Sequence, residues 1–254
     1  MLIDSHAHLL DERLKDHIAE IVGEYPANDV EISVEIGADM QSSRGAVALA
    51  NSYDNIYAVV GLHPESAESA TDKDIEEIAI LAKNKKVVAI GEIGLDYHYD
   101  YNKTIQKSVL IKQIMLADEL NLPIVIHLRA AYQDMENIFA ECKNYINNGV
   151  LLHCYSGSKE MLDRFAFLDP YYAFGGAITF KNNNRADVIR AVKKDRLVIE
   201  TDCPYLTPEP NRGKINTPNN LKYIAKRMAD DLGISYEELS ELTYQNTKRF
   251  YRIK

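Results

Sequence analysis

Short apolar, β-branched runs alternate with longer segments in which apolar residues recur at intervals of three and four, almost from end to end of the chain. The short runs predict strands at Leu2–His6, Val30–Ile36, Ile56–Gly61, Val87–Glu92, Ile124–His127, Val150–His153, Tyr171–Phe174 and Leu197–Glu200. Ile75–Lys83 and Val109–Leu120 exemplify the amphipathic helical segments between them. Eight strands alternating with helices read as βαβ units in a parallel sheet, and eight is the number that closes a barrel. The expected fold is α/β, a single (β/α)8 TIM barrel. The tail from Leu221 to Lys254 reads as two or three extra C-terminal helices packed on the outside. No linker, repeat or low-complexity tract interrupts the pattern, so residues 1–254 are expected to form one domain.

Composition narrows the class. A length of 254 residues suits one such barrel, and 46% hydrophobic residues supply its core. No apolar run approaches the roughly 18 residues of a membrane span, and Met1-Leu2-Ile3 meets Asp4 at once, so neither a span nor a signal peptide is expected. Cys142, Cys154 and Cys203 are odd in number and widely spaced, which excludes a disulfide framework or zinc knuckle and fits a cytoplasmic protein. The net charge of −9 lacks the basic footprint of a nucleic-acid binder, although bound divalent cations would reverse that sign locally.

The candidate chemistry sits where the strands end. In Asp4-Ser5-His6-Ala7-His8 the two histidines point to one side, with Cα atoms roughly 6–7 Å apart. Paired imidazoles are poor core filler, because each ring nitrogen needs a partner, and a metal ion is the partner this spacing suits. His63 follows strand three, Glu92 closes strand four, His127 strand five and His153 strand six, and Asp202 follows strand eight. All lie at carboxyl ends, where barrel enzymes keep their active sites. Four to six nitrogen and oxygen ligands can hold one divalent ion or two, and Glu92 is central enough to bridge a pair. His63, aimed inward by the Gly61–Pro64 turn, fits an outer-sphere or substrate contact better than a ligand. His98 reads equally as a substrate contact or a plain loop residue, and His17 as part of a solvated face. Gly91 and Gly94 permit close backbone approach around Glu92. The proline-rich run Cys203–Pro218 is expected to be a long ordered loop, and its Arg212, Lys214 and Asn216 suit either a phosphate or an exposed polar surface. Cys154 and Cys203 read as small buried hydrophobes.

Taken together, the motifs resemble the TatD family of metal-dependent deoxyribonucleases, within the amidohydrolase-like barrel group. The resemblance spans essentially the whole chain. It is carried by Asp4-Ser5-His6-Ala7-His8-Leu9, Gly61-Leu62-His63-Pro64, Ala89-Ile90-Gly91-Glu92-Ile93-Gly94-Leu95-Asp96-Tyr97, Pro123-Ile124-Val125-Ile126-His127, His153-Cys154-Tyr155-Ser156-Gly157, Glu200-Thr201-Asp202-Cys203-Pro204-Tyr205-Leu206 and Arg212-Gly213-Lys214-Ile215-Asn216. It implies that His6, His8, Glu92 and Asp202 surround one ion and Glu92, His127 and His153 a second, with Arg212 and His63 handling substrate. The chain departs from the family pattern at Leu128-Arg129-Ala130, where an aspartate usually follows the arginine, so Arg129 lacks its usual neighbour as a substrate contact. Thr217 stands where a glutamate is common, and Leu110 where a phenylalanine is usual.

The expected reaction is phosphodiester hydrolysis by metal-activated water, with Asp202 and Glu92 as catalytic residues. Asp202 orients the nucleophile or takes its proton, and Arg212 and Lys214 meet charge on the phosphate. Glu200 shares the parity of Asp202 and can orient an imidazole from behind the ligands. The cofactor is expected to be two divalent ions, Mg, Mn or Zn. The partner is expected to be DNA, as single strands or 3′ ends attacked exonucleolytically, with no membrane and no obligate protein partner. Rival readings are a hydrolase of a small ester, lactone or amide, a hydrolase of aminoacyl-tRNA esters and, last, a non-catalytic binding protein.

Overall fold

The computed structural model describes all 254 residues, Met1–Lys254. Eight strands follow one another in chain order: β1 (Leu2–Ala7), β2 (Val30–Ile36), β3 (Ile56–Val60), β4 (Val87–Asp96), β5 (Ile124–Arg129), β6 (Val150–Leu152), β7 (Tyr171–Phe174) and β8 (Leu197–Ile199). With the helices between them they make the (β/α)8 TIM-barrel fold expected from the alternation. Every predicted strand is present. The main differences are that β4 runs on to Asp96 and β5 to Arg129, while β6 and β8 stop short of His153 and Glu200. The chain divides into two compact units, Met1–Glu35 with Tyr172–Lys254, and Ile36–Tyr171.

In the first unit β1 pairs in parallel with β2, and β7 with β8. The β1–β2 register shifts between Asp4 and Ala7, the stretch that carries His6, and such a bulge re-aims the side chains it holds. The tail forms two helices, Leu221–Leu232 and Tyr236–Tyr251. Leu221, Ile224, Ala225 and Met228 are buried on the first at helical spacing, and Gly233 ends it at φ 67°, a conformation that suits glycine. On the second a capping box joins Ser235 and Glu238. This helix is tied to the strands, since Tyr251 Oη donates to the Ser5 carbonyl (2.8 Å) and Asn246 Nδ2 to that of Leu197 (2.8 Å). The C-terminal helices thus support the segments that carry His6 and Asp202.

In the second unit β3, β4, β5 and β6 pair in parallel, with Ile90 opposite Ile124 and Ile124 opposite Val150. Its helices include Lys103–Glu119, which buries Val109, Leu110, Ile114, Leu116 and Ala117 together with two glutamines. Gln106 and Gln113 lie two helical turns apart on one face. Each grips one backbone unit with its amide: Gln106 accepts from the Asp96 N–H (2.9 Å) and donates to its carbonyl (2.9 Å), and Gln113 does the same at Leu62 (2.8 and 3.0 Å). One helix thereby fixes the ends of β3 and β4. A Cβ on Gly94 would overlap the His127 carbonyl oxygen, so the close approach expected there is real.

Candidate metal centre

In the second unit, Glu92 lies at the middle of a histidine cluster. Its Oε1 is 2.8 Å from His127 Nδ1, 2.8 Å from His153 Nε2 and 3.7 Å from His63 Nε2. His153 Nε2 and His127 Nδ1 are themselves 3.4 Å apart. Burial works to raise the Glu92 pKa, but the imidazoles of His153, His63 and His127 outweigh it and hold the carboxyl well below its ordinary range. Burial likewise works to lower the pKa of His127, yet hydrogen bonds to Asp96 and Glu92 win and raise it.

The other face of His127 meets Asp96, whose Oδ2 lies 3.1 Å from Nε2. A carboxylate holding the far nitrogen fixes the ring and leaves Nδ1 for a cation, the arrangement common behind ligand histidines. Asp96 is not among the residues that the sequence singles out. Its signal is parity, four residues beyond Glu92, and it is hidden because the strand is expected to stop there. Gln106, which holds the Asp96 backbone, is equally invisible.

His63 is different. Its Nδ1 accepts a hydrogen bond from the Glu65 N–H (3.1 Å), and burial lowers its pKa to about 4. The ring is therefore neutral near pH 7 with its proton on Nε2, facing Glu92 as a donor rather than a lone pair. Although His63, Glu92 and His127 are close enough to share an ion, this geometry favours a substrate or outer-sphere role for His63.

In the first unit, His6 Nε2 and His8 Nε2 lie 3.3 Å apart, and Asp202 Oδ1 is 3.9 and 3.5 Å from them. Asp202 follows β8 at φ 53°, a left-handed conformation that costs an aspartate on the order of 1 kcal/mol. Its N–H donates to the His6 carbonyl (2.9 Å), which fixes the bend. Behind these residues are two buried carboxylates. Asp4 accepts from the N–H of His6 (3.3 Å), the N–H of Thr201 (2.8 Å) and the Thr201 hydroxyl. Glu35 accepts from the N–H of Leu9 (2.7 Å) and Leu10 (3.2 Å), immediately after His8. Burial pushes both acids up to about 7, against these hydrogen bonds. Glu200, expected as an orienting group, is fully buried beside this cluster. Of the two acids that position the histidines here, Asp4 reads in the sequence only as part of the His-Ala-His motif, and Glu35 has no signal beyond a charge inside a predicted strand.

Each unit thus gathers two imidazole nitrogens and one carboxylate oxygen within 4 Å of one another. Lone pairs of neutral imidazoles at 3.3–3.4 Å repel unless a proton or a cation lies between them. The donor sets fit divalent metal ions, with nitrogen and oxygen suited to Zn, Mn or Mg.

The loop after β8 is ordered, as expected, and its buried Asn216 is a staple. Asn216 Nδ2 donates to the carbonyls of Thr201 (2.9 Å) and Tyr205 (2.7 Å). Arg212 is exposed with its guanidinium 4.2 Å from the Phe180 ring centroid, and Lys214 Nζ reaches only Asn211 Oδ1 (3.5 Å). Both cations are available to an anion. Arg129 is exposed too, with no salt bridge, and lies over Tyr99 at 5.5 Å. His17 and His98 are exposed. Cys203 is buried as expected, whereas Cys154, at φ 43° just past the end of β6, is only half-buried.

Comparison with known proteins agrees with this donor chemistry. The family profile described as TatD related DNase matches residues 3–252. The chain is 42% identical over 255 residues to the Bacillus subtilis (strain 168) protein YabD, covering all of both chains, and 35% identical over 257 residues to Escherichia coli (strain K12) YcfH, covering 99% of this chain and 96% of that one. Both relatives are described as uncharacterized metal-dependent hydrolases. Among solved structures, the Escherichia coli K12 TatD homolog YJJV superposes with a TM-score of 0.92 at 25% identity, covering 100% of this chain and 98% of that one. No helix is long and apolar enough to cross a membrane. The fold, the histidine and carboxylate clusters and these likenesses lead to one conclusion: the chain belongs to the TatD family of metal-dependent hydrolases.

Proposed function

We propose that residues 1–254 act as one cytoplasmic hydrolase domain that cleaves phosphodiester bonds of DNA exonucleolytically, on single strands or at 3′ ends. The observation that carries this reading is the pair of three-atom donor clusters, one at the ends of β1 and β8 and one at the ends of β4, β5 and β6, in a chain of the TatD related DNase family. In this proposal His6, His8, Glu92 and Asp202 hold one divalent ion, and Glu92, His127 and His153 hold a second. Such ions, whether Mg, Mn or Zn, lower the pKa of a water and neutralise charge on phosphate oxygens.

The chain's own residues do the rest. Asp202 accepts the proton of the attacking water and orients it. Asp96 keeps the His127 ring in one orientation, as Asp4 and Glu35 keep the segments around His6 and His8. Neutral His63 offers its Nε2–H to a substrate oxygen. Arg212, Lys214 and Arg129 bind phosphates, and the fork of an arginine suits two oxygens at once.

The test is hydrolysis of end-labelled single-stranded DNA by metal-stripped protein, with Mg, Mn or Zn restored in turn and His6→Ala and Asp202→Asn as controls. The expected result is a metal-dependent ladder from one end, absent in both variants. Cleavage of no DNA by protein that binds metal would contradict the proposal. The reading would then pass to a small ester, lactone or amide, or to an aminoacyl-tRNA ester.

A further inference from the structure

The four residues His98–Tyr101, on the loop after β4, carry three aromatic rings that the core does not use. Tyr99 is 53% exposed, an unusual position for so large a ring in a loop otherwise well anchored. Its ring neighbours are few: His98 is T-shaped to it at 4.8 Å and 81°, and Tyr101 is tilted at 5.8 Å and 51°. The Arg129 guanidinium lies 5.5 Å from its centroid.

The loop is fixed at its base to the histidine cluster. Asp96 Oδ2 holds His127, while Oδ1 accepts from the His98 N–H (2.8 Å). The Tyr97 N–H donates to the Arg129 carbonyl (2.9 Å), and Tyr97 Oη donates to Asp134 Oδ2 (2.6 Å). One carboxylate therefore sets both the ligand imidazole and the first residue of the aromatic loop. Two cations lie near this loop, since Lys103 Nζ lies over the preceding Tyr97 at 4.6 Å and Arg129 lies over Tyr99 without an ion pair.

From this arrangement we infer that the exposed ring of Tyr99, between His98 and Tyr101, is a stacking platform for one unpaired nucleobase, with Arg129 holding the phosphate of that nucleotide. The inference rests on the nuclease reading above and extends it. An exposed ring with a guanidinium over part of it, in no ion pair, matches the two features of a nucleotide, its π-face and its phosphate. It is tolerant of sequence, because every base has a face to stack. It also explains how an acidic chain can hold a nucleic-acid end without a basic groove. The partner is single-stranded nucleic acid; a base paired in a duplex has its faces covered already.

Two readouts separate this inference from the one beneath it. The first is fluorescence of a short DNA strand carrying 2-aminopurine at its terminal nucleotide, titrated with metal-stripped protein so that the probe is not cleaved off. Stacking quenches the probe with wild type and with Tyr99→Phe. Tyr99→Ala should leave it bright and weaken binding about 5- to 150-fold. The second is metal-dependent cleavage of the same strand and of one with abasic residues at its end. Tyr99→Ala should raise KM on the first with kcat nearly unchanged, and should not alter cleavage of the second. Cleavage by wild type with no quenching, or an equal KM for Tyr99→Ala and wild type, overturns the platform and leaves the nuclease reading standing. Quenching that depends on Tyr99 without cleavage of either strand overturns the nuclease reading and leaves the platform.

Discussion

Two clusters of similar composition are held in place by different means. Around Glu92 the side chains hold one another: two imidazoles converge on one carboxylate oxygen, and Asp96 grips His127 from behind. Around His6 and His8 the buried acids hold backbone instead, Asp4 at His6 and Thr201, Glu35 at Leu9 and Leu10. The first cluster is already paired through protons, so a cation entering it must displace them, and its affinity should depend on pH. The second is pinned through the main chain, so its ligand geometry should follow the strength of those backbone bonds. The same three-donor solution is reached by tuning charge in one place and by fixing backbone in the other.

The comparison predicts a graded set of effects. Asp202→Asn, which removes the base from the backbone-pinned cluster, should lower kcat about 10³-fold with an unchanged circular dichroism spectrum; a variant that keeps near-full activity would remove Asp202 from the chemistry. Asp96→Asn should weaken metal affinity or activity by about 10- to 100-fold, because the amide holds His127 less firmly and without charge. Equilibrium dialysis against zinc checks this, and the loss should grow as pH rises, because Asp96 raises the His127 pKa and proton competition falls more heavily on the wild type. Glu35→Gln leaves an amide N–H2 facing one of two backbone donors, a loss of about 1–3 kcal/mol in urea unfolding with little effect on the cluster around Glu92. An unchanged midpoint would mean the backbone pins are not what holds the cluster around His6 and His8.

The smallest effect is a titration. In metal-free protein the His63 ring should stay neutral, with its proton on Nε2, from pH 8 down to about 5, as read by nitrogen chemical shifts. Its folded pKa of about 4 lies below the ordinary 6.5, so between those values the unfolded chain binds more protons. The contribution of this group to stability is thus whole above pH 6.5 and falls as pH is lowered through that window. A His63 that titrates near 6.5 would contradict its buried, donor-facing geometry.

Much of this is legible in the sequence because it is written in periodicity. Apolar runs mark all eight strands, and the residues at their ends, His6, His8, Glu92, His127, His153 and Asp202, are the ones the structure gathers into clusters. The supporting residues are less visible. Gln106 and Gln113 sit on an amphipathic helix where a polar residue reads as solvent-facing, and only the fold shows that they grip Asp96 and Leu62. Glu35 is a charge within a buried strand, and its partners are 25 and 26 residues away in sequence. Asn216 reads, with Arg212 and Lys214, as either a phosphate contact or exposed polar surface, but it is committed to the carbonyls of Thr201 and Tyr205. Local pattern reports which face a residue is on; it does not report which distant backbone group waits there.

Metal stoichiometry tests the central claim most directly. Metal-stripped protein, reloaded with zinc and freed of excess ion, should carry two equivalents per chain by mass spectrometry. His8→Ala and His153→Ala should each carry one, and neither should hydrolyse DNA. A wild type that binds a single equivalent, or a variant that loses its cluster and keeps both ions, would contradict the assignment of one ion to each cluster.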